Sequence, residues 1–543
     1  MKRCFSFSVL WLFVSVFLNW RTVYACGLRN TAHIAKYANP GDDVTAILQE
    51  LVNKYSTVII DEGTWYLTPG IKLRSGVTIK GTDKNTSILK RKEEPFGIVG
   101  GMLFYTEKAN PDIYSRKNPA DDYAKSRIKY KNIHIDNLTL DFNRHPDVYS
   151  HQQMKGTNLY GIGLMYSTDC SVENCSFVDY MTPEANNGYP AIVFLQSDHC
   201  NVTNCQSQNI TLVQSIYSEN VTISGNHSEN SVGTCIESIC GKRCVVSDNY
   251  VKGVYWKVSC VGINTAGSKV HNNEVYAGAN NISCLTLGHQ GYELVNADNA
   301  VVENNYFISE GVRSIIIQNG ANIEIKNNRL SCVLSEESPT PTFGCIVARG
   351  EVSGIRDLLI ENNNMVAYGD KVYGVVTYAG SGCVKLNRNK IDGKRGVSII
   401  ADGVDIEIKN NIINSSDYTV TATSPKSLLI ESNVLAEGIS VKGGESLEIR
   451  DNHFLSISRS SYVYGEWDNV RIINNEFIIA DNAVLEQLFL FNAERKDGSY
   501  DLSKFVTYGN LLDASIQAVK FVNFSGNNNA RQLRSITIKS TEN

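Results

Sequence analysis

The amino-acid sequence predicts an all-β protein, a right-handed single-stranded parallel β-helix (solenoid) with a short N-terminal capping helix. Three observations carry that expectation. First, one phrase recurs thirteen times between Cys175 and Asn475. It is an aliphatic residue followed three positions later by Asn, or by Cys in the first two copies (Cys175, Cys205, Asn226, Asn249, Asn273 and onward to Asn475). Most copies lie 19 to 26 residues apart, and the gaps of 30, 32 and 35 are what loops inserted on a fixed repeat produce. Second, within a copy such as Asp405-Ile406-Glu407-Ile408-Lys409-Asn410-Asn411 apolar and polar residues alternate, the period of a strand with one buried face. Third, no amphipathic helix separates the copies, which excludes the helical repeats. Thirteen rungs at about 4.8 Å give a rod on the order of 60 Å long. The Asn of each corner tolerates left-handed backbone geometry and its amide can bond the Asn above and below, so the ladder reads as structural.

Taken in order, residues 1–25 read as a secretory signal. Lys2 and Arg3 precede the apolar run Phe5 to Leu18, and Val23-Tyr24-Ala25 precedes Cys26. The same four residues approximate a bacterial lipoprotein box, so a lipid anchor at Cys26 stays open beside plain secretion, which the bulky Tyr24 favours. Residues 26–90 supply the cap and first coils: a helix from about Val44 to Lys54 with Asp42 or Asp43 at its N-cap, covering strand edges of the first rung, then strands at Thr57-Val58-Ile59-Ile60 and Gly70 to Gly81. Residues 91–484 form the β-helix, with loop excursions at about 91–130, 141–160 and 178–190. From 485 to 543 the repeat loses its spacing, and Phe489-Leu490-Phe491 with Phe521-Val522-Asn523-Phe524 should close the C-terminal end. A solenoid grows by adding rungs, so one long domain is expected despite the length.

The formal net charge is -5; removing residues 1–25 deletes Lys2, Arg3 and Arg21 and no acid, and takes it to -8. Nucleic acid is therefore not an expected partner. No other apolar stretch reaches spanning length, so no transmembrane segment is expected and the location reads as secreted or cell envelope. Fourteen cysteines in a secreted chain invite a disulfide reading. Their placement points elsewhere: Cys170 and Cys175 recur as Cys200 and Cys205, and Cys260, Cys284 and Cys345 fall in a buried strand, as small residues stacked rung over rung. Bridges within 170–244 stay open, because stacked Cα atoms are close enough.

The order of helix, Thr57-Val58-Ile59-Ile60-Asp61-Glu62-Gly63-Thr64-Trp65-Tyr66-Leu67 and Gly70 to Gly81, followed by the repeat, resembles the N-terminal cap and coils of the pectate-lyase-like superfamily. The resemblance covers most of the chain. It implies a polysaccharide partner, because that superfamily holds lyases, glycoside hydrolases, uronan epimerases and tailspike depolymerases, and it does not choose among them. The polygalacturonase-type order of motifs is not met: Arg127-Ile128-Lys129 comes before the repeat, and Gly288-His289-Gln290-Gly291 has no Asp pair in register. The Asp-Pro-His-Glu signature of alginate epimerases is absent too.

Rung interiors are filled, so chemistry belongs where loops leave them. The excursion after Ile133 to Leu140 carries Asp141, Arg144, His145, His151 and Lys155, and the next carries Asp179, Tyr180 and Glu184. Tyr160, Tyr166 and Tyr189 offer flat surfaces for sugars. The candidate catalytic residues are Asp141, Arg144, His145, Asp179 and Glu184, and the candidate substrate-binding residues His151, Lys155, Tyr160, Tyr180 and Tyr189. For β-elimination, Arg144 or Lys155 would neutralise a uronate and His145, His151 or Tyr180 would take the C5 proton. For hydrolysis, two of Asp141, Asp179 and Glu184 would flank the bond, about 5–5.5 Å apart for retention or 6.5–9.5 Å for inversion. No metal or other cofactor is assigned: calcium stays open for acidic loops, but no Asp-x-Asp-x-Asp-Gly loop or Gly-Gly-x-Gly-x-Asp repeat is present. The sequence thus supports a secreted carbohydrate-active protein that cleaves a polysaccharide as lyase or hydrolase, with a non-catalytic glycan-binding or structural surface rod as the alternative.

Overall fold

The computed structural model describes residues 31–539 apart from 93–102, 108–127, 144–160, 179–189, 256–257, 289–295, 334–342, 350–353, 493–504, 514–519, 525–535 and the single positions 69, 380, 402 and 482. One rung shows the plan. Asn201–Thr203 forms a strand of the first sheet, the chain turns at Asn204-Cys205, Gln206–Gln208 joins the second sheet, and Thr211–Ile216 joins the third. Each strand pairs in parallel with its equivalent one rung on, Asn201 with Thr222, Gln206 with His227 and Val213 with Ile236. Repetition of this plan makes a single-stranded parallel β-helix, right-handed as parallel crossovers are. Inward positions stack by type. In the third sheet Ile192, Val213, Ile236, Val261, Leu285, Ile315 and Ile346 form one fully enclosed column.

The Asn ladder is continuous from Asn226 to Asn510. Asn305 shows its chemistry: Nδ2 donates to Asn328 Oδ1 (3.0 Å) and to the Val270 carbonyl (2.9 Å), while Oδ1 accepts the backbone N–H and Nδ2 of Asn273 (2.9 and 3.0 Å). The left-handed residue is not the ladder Asn but the one before it, as at Asn272, Asn304, Asn327, Asn362, Arg388 and Asn474, all with φ between 53° and 57°. The division of labour is physical. A side chain at the αL position points out of the corner to solvent, and only the following residue points in, where its amide is buried.

Cys175 and Cys205 hold the ladder's place in the earlier rungs. All twelve described cysteines are free thiols, ten of them buried. Burial pushes the Cys260 and Cys244 thiols up to about 12, the behaviour of interior packing groups.

The helix Thr45–Lys54 closes the N-terminal end, burying Leu48, Leu51 and Val52. Its N-cap is Val44, and Asp43, one position earlier, accepts the Thr45 backbone N–H (3.1 Å) and hydroxyl (2.7 Å). At the other end the coil continues past residue 485, with Gln487–Asn492 pairing onto Ser461–Tyr464 and Asn510–Asp513 pairing with Ile536–Lys539. Phe477, Phe489 and Phe521 pack edge to face at 5.7–5.9 Å in this part of the core.

Candidate functional site

The third sheet is not an ordinary half-buried sheet. Pro190–Leu195, Ser283–Leu287 and Arg313–Ile317 are buried on both faces, whereas Arg395–Ala401 and Val420–Thr423 further along return to alternation. The sequence agrees locally, since Ala191-Ile192-Val193-Phe194-Leu195 is a continuous apolar run. On the outward face, Val193, Gln214, Glu237, Gly262 and Thr286 follow one another in register. Two residues further along each strand come Leu195, Ile216, Ile239 and Asn264, all buried. Met165, Val193, Leu195, Ile216 and Tyr217 form an apolar cluster of their own here, separate from the core.

Glu237 sits half-buried in this apolar surface. Gln214 Nε2 donates to its Oε2 at 2.7 Å, and Gly262 on the next rung presents no side chain beside it. Burial raises its carboxyl above the usual carboxylate range, and the Gln214 bond only partly offsets that. Further along, the hydroxyls of Ser259, Ser283 and Thr286 bond to one another, Ser259 to Ser283 at 2.6 Å. The buried Asn264 Oδ1 has no hydrogen-bond partner among the described residues. A carboxyl whose pKa is raised by burial is better suited than a solvated one to donate a proton to a leaving oxygen.

A second feature is an open groove of about 800 Å³ on the outer face of the first sheet, lined by Lys80, His134, Asp136, Glu173, His199 and Arg243. Its charges are matched along the sheet, Lys80 with Asp136 (2.8 Å) and Arg243 with Glu219 (2.7 Å), while His199 Nδ1 lies 3.0 Å from Asp198 Oδ1 and His134 Nδ1 meets Ser171 Oγ (2.9 Å). Such exposed pairs steady rungs weakly. Among the described residues no group of three or more His, Cys, Asp or Glu is placed to hold a metal ion.

Of the residues singled out from the sequence, two lie among those described: Tyr166, with Lys129 Nζ 5.1 Å from its ring centroid, and Asp141. Asp141 ends the second-sheet strand Thr139–Asp141, buried, with Oδ2 3.2 Å from Lys90 Nζ and Oδ1 accepting the Asn143 backbone N–H at 2.8 Å. That is an Asx turn with a cation beside it. Arg144, His145, His151, Lys155, Tyr160, Asp179, Tyr180, Glu184 and Tyr189 lie outside the described residues. The segments carrying them join the third sheet at Ile162 and Pro190, the sheet that bears Glu237. Of the histidines, His134 and His199 fall in the first-sheet groove instead. Glu237 itself escaped sequence reasoning, because Ile236-Glu237-Ser238-Ile239 reads as a strand with a solvated acid.

These features define a protein of the parallel β-helix class. No protein-family model and no curated protein sequence matches the chain. Solved structures do. Pre-mature gene product 12 of bacteriophage phi29 aligns at TM-score 0.50 and 13% identity, over 91% of this chain and 73% of that one. DFA-IIIase from Arthrobacter chlorophenolicus A6 in complex with GF2 aligns at TM-score 0.41 and 11% identity, over 69% and 94%. PfbA, a surface adhesin of Streptococcus pneumoniae, aligns at TM-score 0.36 and 12% identity, over 89% and 93%. At 13% identity the likeness to gene product 12 is one of fold.

Proposed function

We propose that this is a secreted or envelope-attached β-helix protein that cleaves a polysaccharide by hydrolysis, with Glu237 as the general acid. The observation that carries the reading is the placement of Glu237 on the outward face of the doubly buried third sheet, bonded to Gln214 at 2.7 Å, where burial raises its carboxyl pKa. Hydrolysis needs a second carboxylate across the bond. Asp179 or Glu184 would supply it, because the segment carrying both leads in sequence into Pro190, two rungs before Glu237. The resemblance of cap and repeat to the pectate-lyase-like superfamily supports a polysaccharide as substrate class, and Lys2 to Cys26 support export, with or without a lipid on Cys26.

The test is incubation of the protein with acidic and neutral polysaccharides, reading reducing ends and 235 nm absorbance together. Reducing ends without absorbance are expected, and Glu237→Gln should lower the rate by about 10²–10⁴-fold. The raised carboxyl pKa places the loss of activity on the alkaline limb, as Glu237 gives up its proton. Rising absorbance at 235 nm would instead establish elimination and remove Glu237 from the role of acid to a glycosidic oxygen.

A further inference from the structure

The second sheet carries a feature that neither the third-sheet carboxyl nor the first-sheet groove uses. The residue following each ladder position faces outward on this sheet, and over five rungs it is His227, Tyr250, Glu274, Tyr306 and Arg329. Tyr276 stands two residues beyond Glu274. The rings form one connected stripe: His227 stacks on Tyr250 at 4.5 Å with 7° between planes, Tyr250 meets Tyr276 at 5.6 Å, Tyr276 meets Tyr306 edge-on at 6.3 Å, and the Arg329 guanidinium lies 5.0 Å over the Tyr306 ring. Carboxylates border it. Glu229 Oε1 is 3.3 Å from His227 Nε2, and the Tyr276 hydroxyl donates to Glu274.

Core packing does not account for this stripe, because each tyrosine is only partly buried and the interior of these rungs is already filled by Val251, Val275, Phe307 and Leu330. Its charge is balanced: Glu229 and Glu274 are offset by Lys252, on the rung before Tyr276, and Arg329. A polyanion or polycation gains nothing from such a surface. The outward edges of these rings and their hydroxyls, beside carboxylate acceptors, instead match a ligand with apolar C–H groups and many hydroxyl donors. Five rungs span roughly 19 Å, longer than a single sugar.

We propose that this aromatic stripe on the second sheet is a binding site for a neutral oligosaccharide or polysaccharide strand lying along the solenoid axis, separate from the third-sheet carboxyl. Tyrosine suits the task because it offers a rigid amphipathic face at small entropic loss. The site stands or falls independently of hydrolysis at Glu237.

The test is affinity electrophoresis and calorimetry of the whole protein against soluble neutral and anionic polysaccharides, at low and high salt. Wild type should bind a neutral glycan with little salt dependence. Tyr306→Ala should bind about tenfold or more weakly, the range of an aromatic anchor, while Tyr306→Phe keeps the affinity of wild type. Circular dichroism and melting temperature identify any variant that is merely misfolded, and Tyr250→Ala is the second probe. Binding unchanged in both alanine variants, binding only to anionic glycans and lost in salt, or no binding at all would overturn the proposal. So would sedimentation showing a dimer that Tyr306→Ala disperses, which would assign the stripe to a second copy of the chain.

Discussion

A single ladder residue shows how much a β-helix corner rests on one amide. Asn328 is buried; its Nδ2 donates to Asn363 Oδ1 (2.9 Å) and the Val302 carbonyl (3.0 Å), and its Oδ1 accepts from the backbone and side chain of Asn305. Truncation removes all four and leaves polar groups on both neighbouring rungs short of a partner. Asn328→Ala should therefore destabilise by about 3–4 kcal/mol, near the upper end for one substitution, read as a lower denaturant midpoint. Its neighbour Asn327, exposed at φ 57°, should accept Gly with little change. At this scale the sequence was informative about which residue recurs and less so about which of Asn327 and Asn328 does what, because both are Asn. Asn510 extends the ladder but escaped the repeat, since Thr507 replaces the aliphatic residue three before it. Glu237 was illegible for a different reason: its desolvation comes from rungs on either side, over 20 residues away in sequence.

At the scale of the corner, the first two copies of the phrase replace Asn with Cys and the fold accommodates both. Cys205 donates its backbone N–H to Asn226 Oδ1 (2.9 Å), as every ladder Asn does to the next, and its thiol lies 3.5 Å from the Val172 carbonyl, the place a ladder Nδ2 occupies. The thiol is a weak donor in an amide's seat. Cys205→Asn should then extend the ladder by one rung, leaving stability within about 1 kcal/mol of wild type or raising it, whereas Cys205→Leu should lower it by about 1–3 kcal/mol through overpacking. Melting temperatures of the two variants decide the matter; an Asn variant as damaged as the Leu one would mean the cysteine is held by volume alone. The same corner rule makes the aromatic stripe legible in retrospect. Reading the position after each ladder residue gives His227, Tyr250, Tyr306 and Arg329 directly, a column visible only once rungs are aligned.

Across the whole molecule, each rung touches only its neighbours, so the ends set where unfolding starts. The N-terminal end is tied down at Asp43. Its Oδ1 takes the Thr45 backbone N–H and hydroxyl, and its Oδ2 takes the Thr68 hydroxyl (3.1 Å) and Lys92 Nζ (3.2 Å), joining the capping helix to the strands beneath it. Burial alone would raise this carboxyl, but these four bonds outweigh it and bring it from 3.8 to about 2. The sign follows from the depressed native value: the ionised form is the one the fold stabilises. Its contribution is present above the ordinary carboxylate range and is lost as pH falls through about 2. Between roughly pH 4 and pH 2, then, the helix Thr45–Lys54 should detach before the coil does, baring the strands Thr57–Ile60 and Ile71–Lys72 of the first rungs. Hydrogen exchange across that window should show the helix amides losing protection while the backbone N–H groups of Asn328 and Asn411 keep theirs. In Asp43→Asn the helix should exchange faster at neutral pH and respond little to acid. Loss of protection at both places together would mean that the rungs unfold as one cooperative unit, with coupling along the Asn ladder stronger than the stability of any single rung.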